Sequence, residues 1–176
     1  MSRPNRPAFV RLVDRIGTIF QVICQIALAI LLLMVTQEVF RRYIMGSPTQ
    51  YTLEYSEILI VLITFLSTGW VMRERNHVSV TFLAEMLSPR TVMRLEIFGL
   101  LLLLLFCLIV VWFGGEIAAK YLENGARESS LVATPLWIPH SLIPLGFFVL
   151  ALQVVSEIIM NISRLRDGSP LDQNGD

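Results

Sequence analysis

The side chains able to do chemistry are few, and they sit at the ends of long apolar runs. Glu54 and Glu57 lie about one helical turn apart at the start of one run, which puts both carboxylates on one helix face. A charge at the centre of a bilayer is costly and normally faces protein or water; near the boundary the cost is small. Two readings stay open for this pair. One is an interfacial carboxylate paired with Arg41 or Arg42 across a short turn. The other is a proton or cation site, or a contact to another subunit. Gln37, Glu38, Arg41 and Arg42 crowd the end of the preceding run. Glu38 and Arg42 are four apart and can pair on one helix face. That cluster reads either as a collar marking the membrane edge or as a docking face for a partner outside the membrane. Glu157, near the end of the last run and close to Arg164, reads as another interfacial charge.

The two histidines suggest haem ligation, which needs two imidazoles on one iron. The topology argued below places His77 at one membrane surface and His140 near the other, about a membrane thickness apart, so one iron cannot take both. Cys24 and Cys107 fall inside apolar runs, where a thiol has little thiolate character and packs as a small hydrophobe. There is no metal-ligand spacing, no Ser-His-Asp set, no phosphate-binding glycine loop and no HExxH-type motif.

The elements that must position these groups follow from composition. Apolar residues make up 55% of the 176-residue chain and charged residues 16%, with a mean hydropathy of +0.66. Soluble domains run at about 45–50% apolar and about 25% charged. The excess excludes a disordered chain, a nucleic-acid binder and a disulfide-rich secreted module. A bilayer core about 30 Å thick needs about 20 apolar residues per helix. Four runs meet that length, giving spans over 16–44, 53–72, 92–117 and 136–160. The expected fold is an all-α integral membrane protein: one four-helix transmembrane domain over 16–160, a basic tail over 1–15 and a polar tail over 161–176. The first run is too long for a signal-peptide h-region and is followed by Thr36, Gln37 and Glu38 rather than a small-residue cleavage site, so it reads as an uncleaved span. Ten of the fourteen basic residues fall on the side of the termini and the second connection, four on the other side. The positive-inside bias then puts both termini in the cytoplasm.

The connections carry local signals. Met45-Gly46-Ser47-Pro48 reads as a turn. In the second connection Val78, Phe82, Leu83, Met86 and Leu87 recur at helical spacing, which predicts a short amphipathic segment in the cytoplasmic interface between helices 2 and 3. Val78 and Val80 also allow a brief extended start. Ser88-Pro89 reads as an N-cap followed by proline at the first helical position. The unbroken run Leu100 to Leu105 offers a surface for lipid or a large apolar partner. Gly99, Gly114 and Gly115 either admit a neighbouring backbone or, for the Gly114-Gly115 pair, mark a fraying outer end. Pro139 suits the first turn of the fourth helix, Pro144 should kink it, and Trp137 belongs at headgroup level. The spans hold Gln21, Gln25, Thr64, Ser67 and Gln153 near their middles but no central charge, and no internal repeat relates the two pairs of spans. Secondary transporters usually show both a repeat and broken helices at midplane. These features point to a membrane scaffold, a helper subunit rather than a pore.

Several motifs in order then carry a likeness. Arg42-Tyr43 ends the first span, and Glu54-Tyr55-Ser56, Leu59, Val61 and Thr64-Phe65-Leu66 mark the second. Arg73 with His77-Val78-x-Val80-x-x-Leu83 follows. Pro135-Leu136-Trp137-Ile138-Pro139, Pro144-Leu145-Gly146, Leu150 and Gln153 complete the series. From about Arg15 to about Arg164 the chain resembles the small, DctQ-type membrane subunit of tripartite ATP-independent periplasmic (TRAP) transporters. It departs at Leu62, where many members have Trp, and at Ser67-Thr68, where a Gly-Ala pair is common.

The resemblance implies a bacterial inner-membrane complex with three parts: a periplasmic substrate-binding protein, a large elevator-type membrane subunit and this small one. It places the substrate and sodium sites in the large subunit and no cofactor in this one. It implies sodium-driven import of carboxylate-bearing organic anions, and no catalysis. The partners expected are the two other proteins and the lipid bilayer, with no nucleic acid. The expected partner-facing residues are Arg41, Arg42, Tyr43, Glu54 and Tyr55, with Trp137, Pro139 and Pro144 at the start of the fourth helix. Arg73 and His77 are expected on the inner face. The alternatives are a membrane anchor of a redox complex, testable by a Soret band, and an autonomous small carrier.

Overall fold

The computed structural model describes residues 8–47, 49, 51–75, 89–130 and 132–167. They form four helices: α1 Ala8–Ile44, α2 Tyr51–Arg75, α3 Pro89–Glu123 and α4 Trp137–Asp167. All four are long and apolar enough to cross a membrane. Even the shortest, 25 residues, rises about 37 Å. Among the described residues there is no strand, only an isolated bridge between Arg127 and Pro135. The expected amphipathic segment, with His77 and the Ser88 cap, lies outside the described residues; Pro89 is the first residue of α3, as its missing N–H favours.

The helices outrun the expected spans. α1 begins at Ala8, and its first turns bury Val10 and Val13. α3 runs through Gly114 and Gly115 without a break, so the fraying alternative is corrected. It stops six residues later than the expected span. There the Gly125 N–H bonds the Leu122 carbonyl and the Ala126 N–H bonds the Tyr121 carbonyl, at 3.3 Å each. Gly125 sits at φ +59°, the left-handed conformation this helix stop requires. α1 ends similarly: the Met45 and Ser47 amides both turn back on the Arg41 carbonyl at 3.2 Å, with Gly46 at φ +61°.

The helices do not form a square. Among the described residues α4 touches the other three helices, α1 also touches α2, and α3 touches α4 alone. Half of the apolar window of α4 is accordingly buried, against 11% in α1 and α3 and 17% in α2. Shape explains the central place of α4. A β-carbon on Gly146 would collide with the Phe65 backbone, so the bare glycine lets α2 and α4 meet at backbone distance. A β-carbon on Gly114 would stand 3.4 Å from the Pro144 ring, so α3 approaches α4 there, whereas Gly99 and Gly115 face open space. Phe147 lies between Phe65 of α2 and Phe106 of α3, at 5.8 and 5.7 Å between ring centroids. Cys107, Leu100, Leu150, Ala151 and Val154 form the core between α3 and α4. Both cysteines are buried and free. Most of the remaining α1 and α3 surface is exposed and apolar: Leu32, Leu33, Leu102, Leu105 and Trp112 are all more than half exposed. That surface suits lipid or another membrane protein.

Several polar side chains within the helices bond protein backbone. The Gln153 amide donates to the Val13 carbonyl of α1 at 3.1 Å. Thr68 and Ser67 donate to carbonyls one turn back on α2, at 2.7 and 3.3 Å. Glu157 is buried against protein, with Ser156 and Asn161 beside it on α4.

Candidate partner interface

The polar end of the molecule is the one carrying both short connections. Two buried carboxylates organise it, one for each connection. Glu38, near the end of α1, accepts from Arg42 Nη2 at 3.1 Å, the ion pair its spacing predicts. It also accepts from the Thr49 backbone amide, at 3.1 Å to Oε2, and from the Thr49 hydroxyl. The Thr49 and Thr52 hydroxyls lie 2.6 Å apart. The first connection is therefore tied down on α1, and α2 starts from a fixed point.

Glu54, on the first turn of α2, does the same for the α3–α4 connection. Its Oε2 accepts from the Ser130 hydroxyl at 2.6 Å and its Oε1 from the Thr134 backbone amide at 2.8 Å. The expected pairing of Glu54 with Arg41 or Arg42 is thus corrected. The carboxylate faces the α3–α4 connection, and backbone and hydroxyl donors there replace the guanidinium. Glu57 is exposed, while Glu54 is 9% exposed, so their shared approximate face does not give them a shared environment.

The α3–α4 connection is folded on itself. The Glu128 amide bonds the Thr134 carbonyl at 2.9 Å and the Leu136 amide bonds the Ala126 carbonyl at 3.1 Å, making a short hairpin. Ser130 Oγ also accepts from the Ala133 amide at 3.0 Å, and Arg127 Nη1 donates to the Ala133 carbonyl at 3.3 Å. Ala133 has φ +52°, a conformation rare for a residue with a β-carbon. Beside the hairpin the Tyr121 and His140 rings are 4.6 Å apart, and His140 Nδ1 lies 2.8 Å from the Leu136 carbonyl.

Seven of the expected partner-facing residues meet at this end. Arg42 is half exposed at its side chain, Tyr43 is 80% exposed, and Tyr55 stands out with Tyr51, their rings 6.3 Å apart. Trp137 and Pro139 open α4, with Trp137 exposed and Pro139 half-buried. Arg41 is half-buried, and its Nε is buried without a hydrogen-bond partner. Glu54 is the seventh, turned inward. Pro144 lies two turns down α4 against Gly114. Arg73 lies at the far end of α2; its side chain and His77 are outside the described residues. A shallow groove between α1 and α2 leads away from Arg42, lined by Val35, Val39, Tyr43, Leu53 and Ser56.

Thr49, Ser130 and Thr134 were not foreseen as members of this end. Thr49, two residues before α2, carries a capping signal. Nothing local marks Ser130 or Thr134, which stand 76 and 80 positions from Glu54. Among the described residues no group of three His, Cys, Asp or Glu is placed to hold a metal ion.

Comparison with known proteins agrees with this architecture. The chain is 27% identical over 158 residues to the ectoine TRAP transporter small permease protein TeaB of Halomonas elongata, an alignment covering 84% of this chain and 80% of that one. Residues 31–164 match the family model described as tripartite ATP-independent periplasmic transporters, DctQ component. The match takes in most of the chain, including all of α2, α3 and the connection that Glu54 holds. The chain therefore belongs to the DctQ family: it is a multi-pass small permease subunit of a TRAP transporter, not an enzyme, and its family implies a large membrane subunit as its partner.

Proposed function

We propose that this subunit is the static brace of a sodium-driven importer in the bacterial inner membrane, with both termini cytoplasmic. It packs on the large elevator-type subunit, which holds the substrate and sodium sites. Its polar end faces the periplasm and helps dock the substrate-binding protein. The cargo is a carboxylate-bearing organic anion; ectoine is named for the relative, and at 27% identity that name is not transferred.

The observation that carries this reading is the placement of polar groups. Within the helices Gln153, Ser67 and Thr68 bond backbone carbonyls, which supports a packing role. At the polar end two buried carboxylates hold the connections, which supports a shaped surface rather than a binding cavity. The wide exposed apolar faces of α1 and α3 supply area for a membrane partner. The test is removal of this subunit from membranes that retain the large one. Loss of sodium-driven uptake and of binding-protein docking is expected. Undiminished uptake with normal docking would refute the brace.

A further inference from the structure

The α3–α4 connection is the most elaborately held piece of backbone at the polar end, and its anchor is remote in sequence. Three links run in series. The Ala133 amide donates to Ser130 Oγ, the Ser130 hydroxyl donates to Glu54 Oε2, and the Thr134 amide donates to Glu54 Oε1. One buried carboxylate thus grips both sides of the left-handed Ala133. A residue with a β-carbon keeps that conformation only where its surroundings enforce it. Beyond the grip, the hairpin presents Arg127, Glu128 and Ser129 in the open.

We propose that the two arms of the hairpin, 126–130 and 132–135, are the element of this subunit that touches the substrate-binding protein, and that Glu54 is its positioning residue, setting the hairpin's shape from α2 without meeting the partner. This rests on the docking reading above. It assigns Glu54 an indirect part: the carboxylate is turned into the molecule and its two oxygens are taken by the hairpin. A protein partner fits this surface because it offers exposed charges of both signs on arms tied by hydrogen bonds at Glu128, Ala133, Thr134 and Leu136, which lowers the ordering cost of contact. Arg127 and Glu128 sit on successive residues of one arm, so recognition draws on a charge pattern rather than on net charge.

The experiment uses proteoliposomes holding both membrane subunits, with purified binding protein titrated in. Uptake gives the half-saturating binding-protein concentration and the maximal rate. Hydrogen exchange on the same complex follows the Glu128 and Leu136 amides, which the hairpin protects. Glu54→Ala is expected to speed exchange at both amides by about tenfold and to raise the half-saturating concentration, with the maximal rate retained. Glu54→Gln keeps an acceptor for Thr134 but not for Ser130, and should fall between Ala and wild type. Ser130→Ala removes the hairpin side of the contact and leaves α2 unaltered. It should reproduce both changes at smaller size, so the test stands even where Glu54→Ala fails to assemble. Glu128→Lys, on the open face, should raise the half-saturating concentration without speeding exchange at Leu136. Unchanged exchange in both Glu54→Ala and Ser130→Ala overturns the grip. Faster exchange with unaltered half-saturation, where Glu128→Lys does shift it, overturns the positioning role. No effect of Glu128→Lys overturns the docking reading itself.

Discussion

At Gly146 the backbone of α4 lies so close to α2 that a β-carbon would fall 2.7 Å from the Phe65 β-carbon. Three helical turns above Phe65 on the same α2, Glu54 holds the α3–α4 connection with two hydrogen bonds. The first contact works by absence of a side chain and the second by presence of a charge. In this α2–α4 seam the contact at Gly146 is backbone and ring against backbone, so close approach and dispersion hold it. The polar end has loop amides and hydroxyls that need acceptors, and a buried carboxylate accepts from two of them at once. Damage to the seam should therefore destroy the subunit. Damage at the polar end should leave four helices standing with a misshapen surface.

The strongest break is Gly146→Leu. The larger side chain meets backbone rather than the end of a flexible chain, so α2 and α4 must part. Loss of a monodisperse, assembly-competent subunit is expected in size-exclusion chromatography after co-expression with the large subunit. Gly146→Ala should cost about 1–3 kcal/mol, seen as a lower melting temperature in detergent. Glu54→Ala comes next. Helical circular dichroism and co-purification should persist while protection in the hairpin falls. If Glu54→Ala instead abolishes assembly as Gly146→Leu does, the two regions are not separable.

A further substitution probes the polar contact between α4 and α1. Gln153→Leu removes the bond to the Val13 carbonyl and should destabilise by about 1 kcal/mol, loosening the start of α1 from α4. Exchange at the first turns of α1 measures this. Gly17→Ala should act the same way more weakly, because its β-carbon would meet only the tip of Gln153, 2.7 Å away, which can swing aside. The smallest effect belongs to Lys120→Gln. Its 2.7 Å pair with Glu116 is exposed on both sides, and no measurable change in melting temperature is expected.

Much of this architecture can be read from residue patterns, for reasons that differ by element. Length and apolarity alone define the four spans, since the bilayer imposes the length. The Glu38–Arg42 pair is legible because helical geometry fixes which residues four apart can meet. Pro89 and Gly125 mark their helix ends by conformation, and Gly125, just past Glu123-Asn124, is where α3 stops. What stays illegible depends on which helix stands beside which. The leucine run of α3 looks alike on every side, so nothing in it tells that α3 touches α4 alone. That Glu157 is buried against protein depends on the packing of α4, which its place near a helix end does not reveal. Glu54 could be recognised as important by type and place. Its partners lie across a connection whose fold is set by two later helices.

The central claim is that this subunit braces a transporter and carries no cargo itself. The most direct measurement reconstitutes this chain alone, the large subunit alone and the pair together in sealed vesicles. An inward sodium gradient is imposed, and labelled substrate is presented on its binding protein. Flux only with the pair, and none with this chain by itself, is the predicted result. Substrate-specific flux through this chain alone would contradict it.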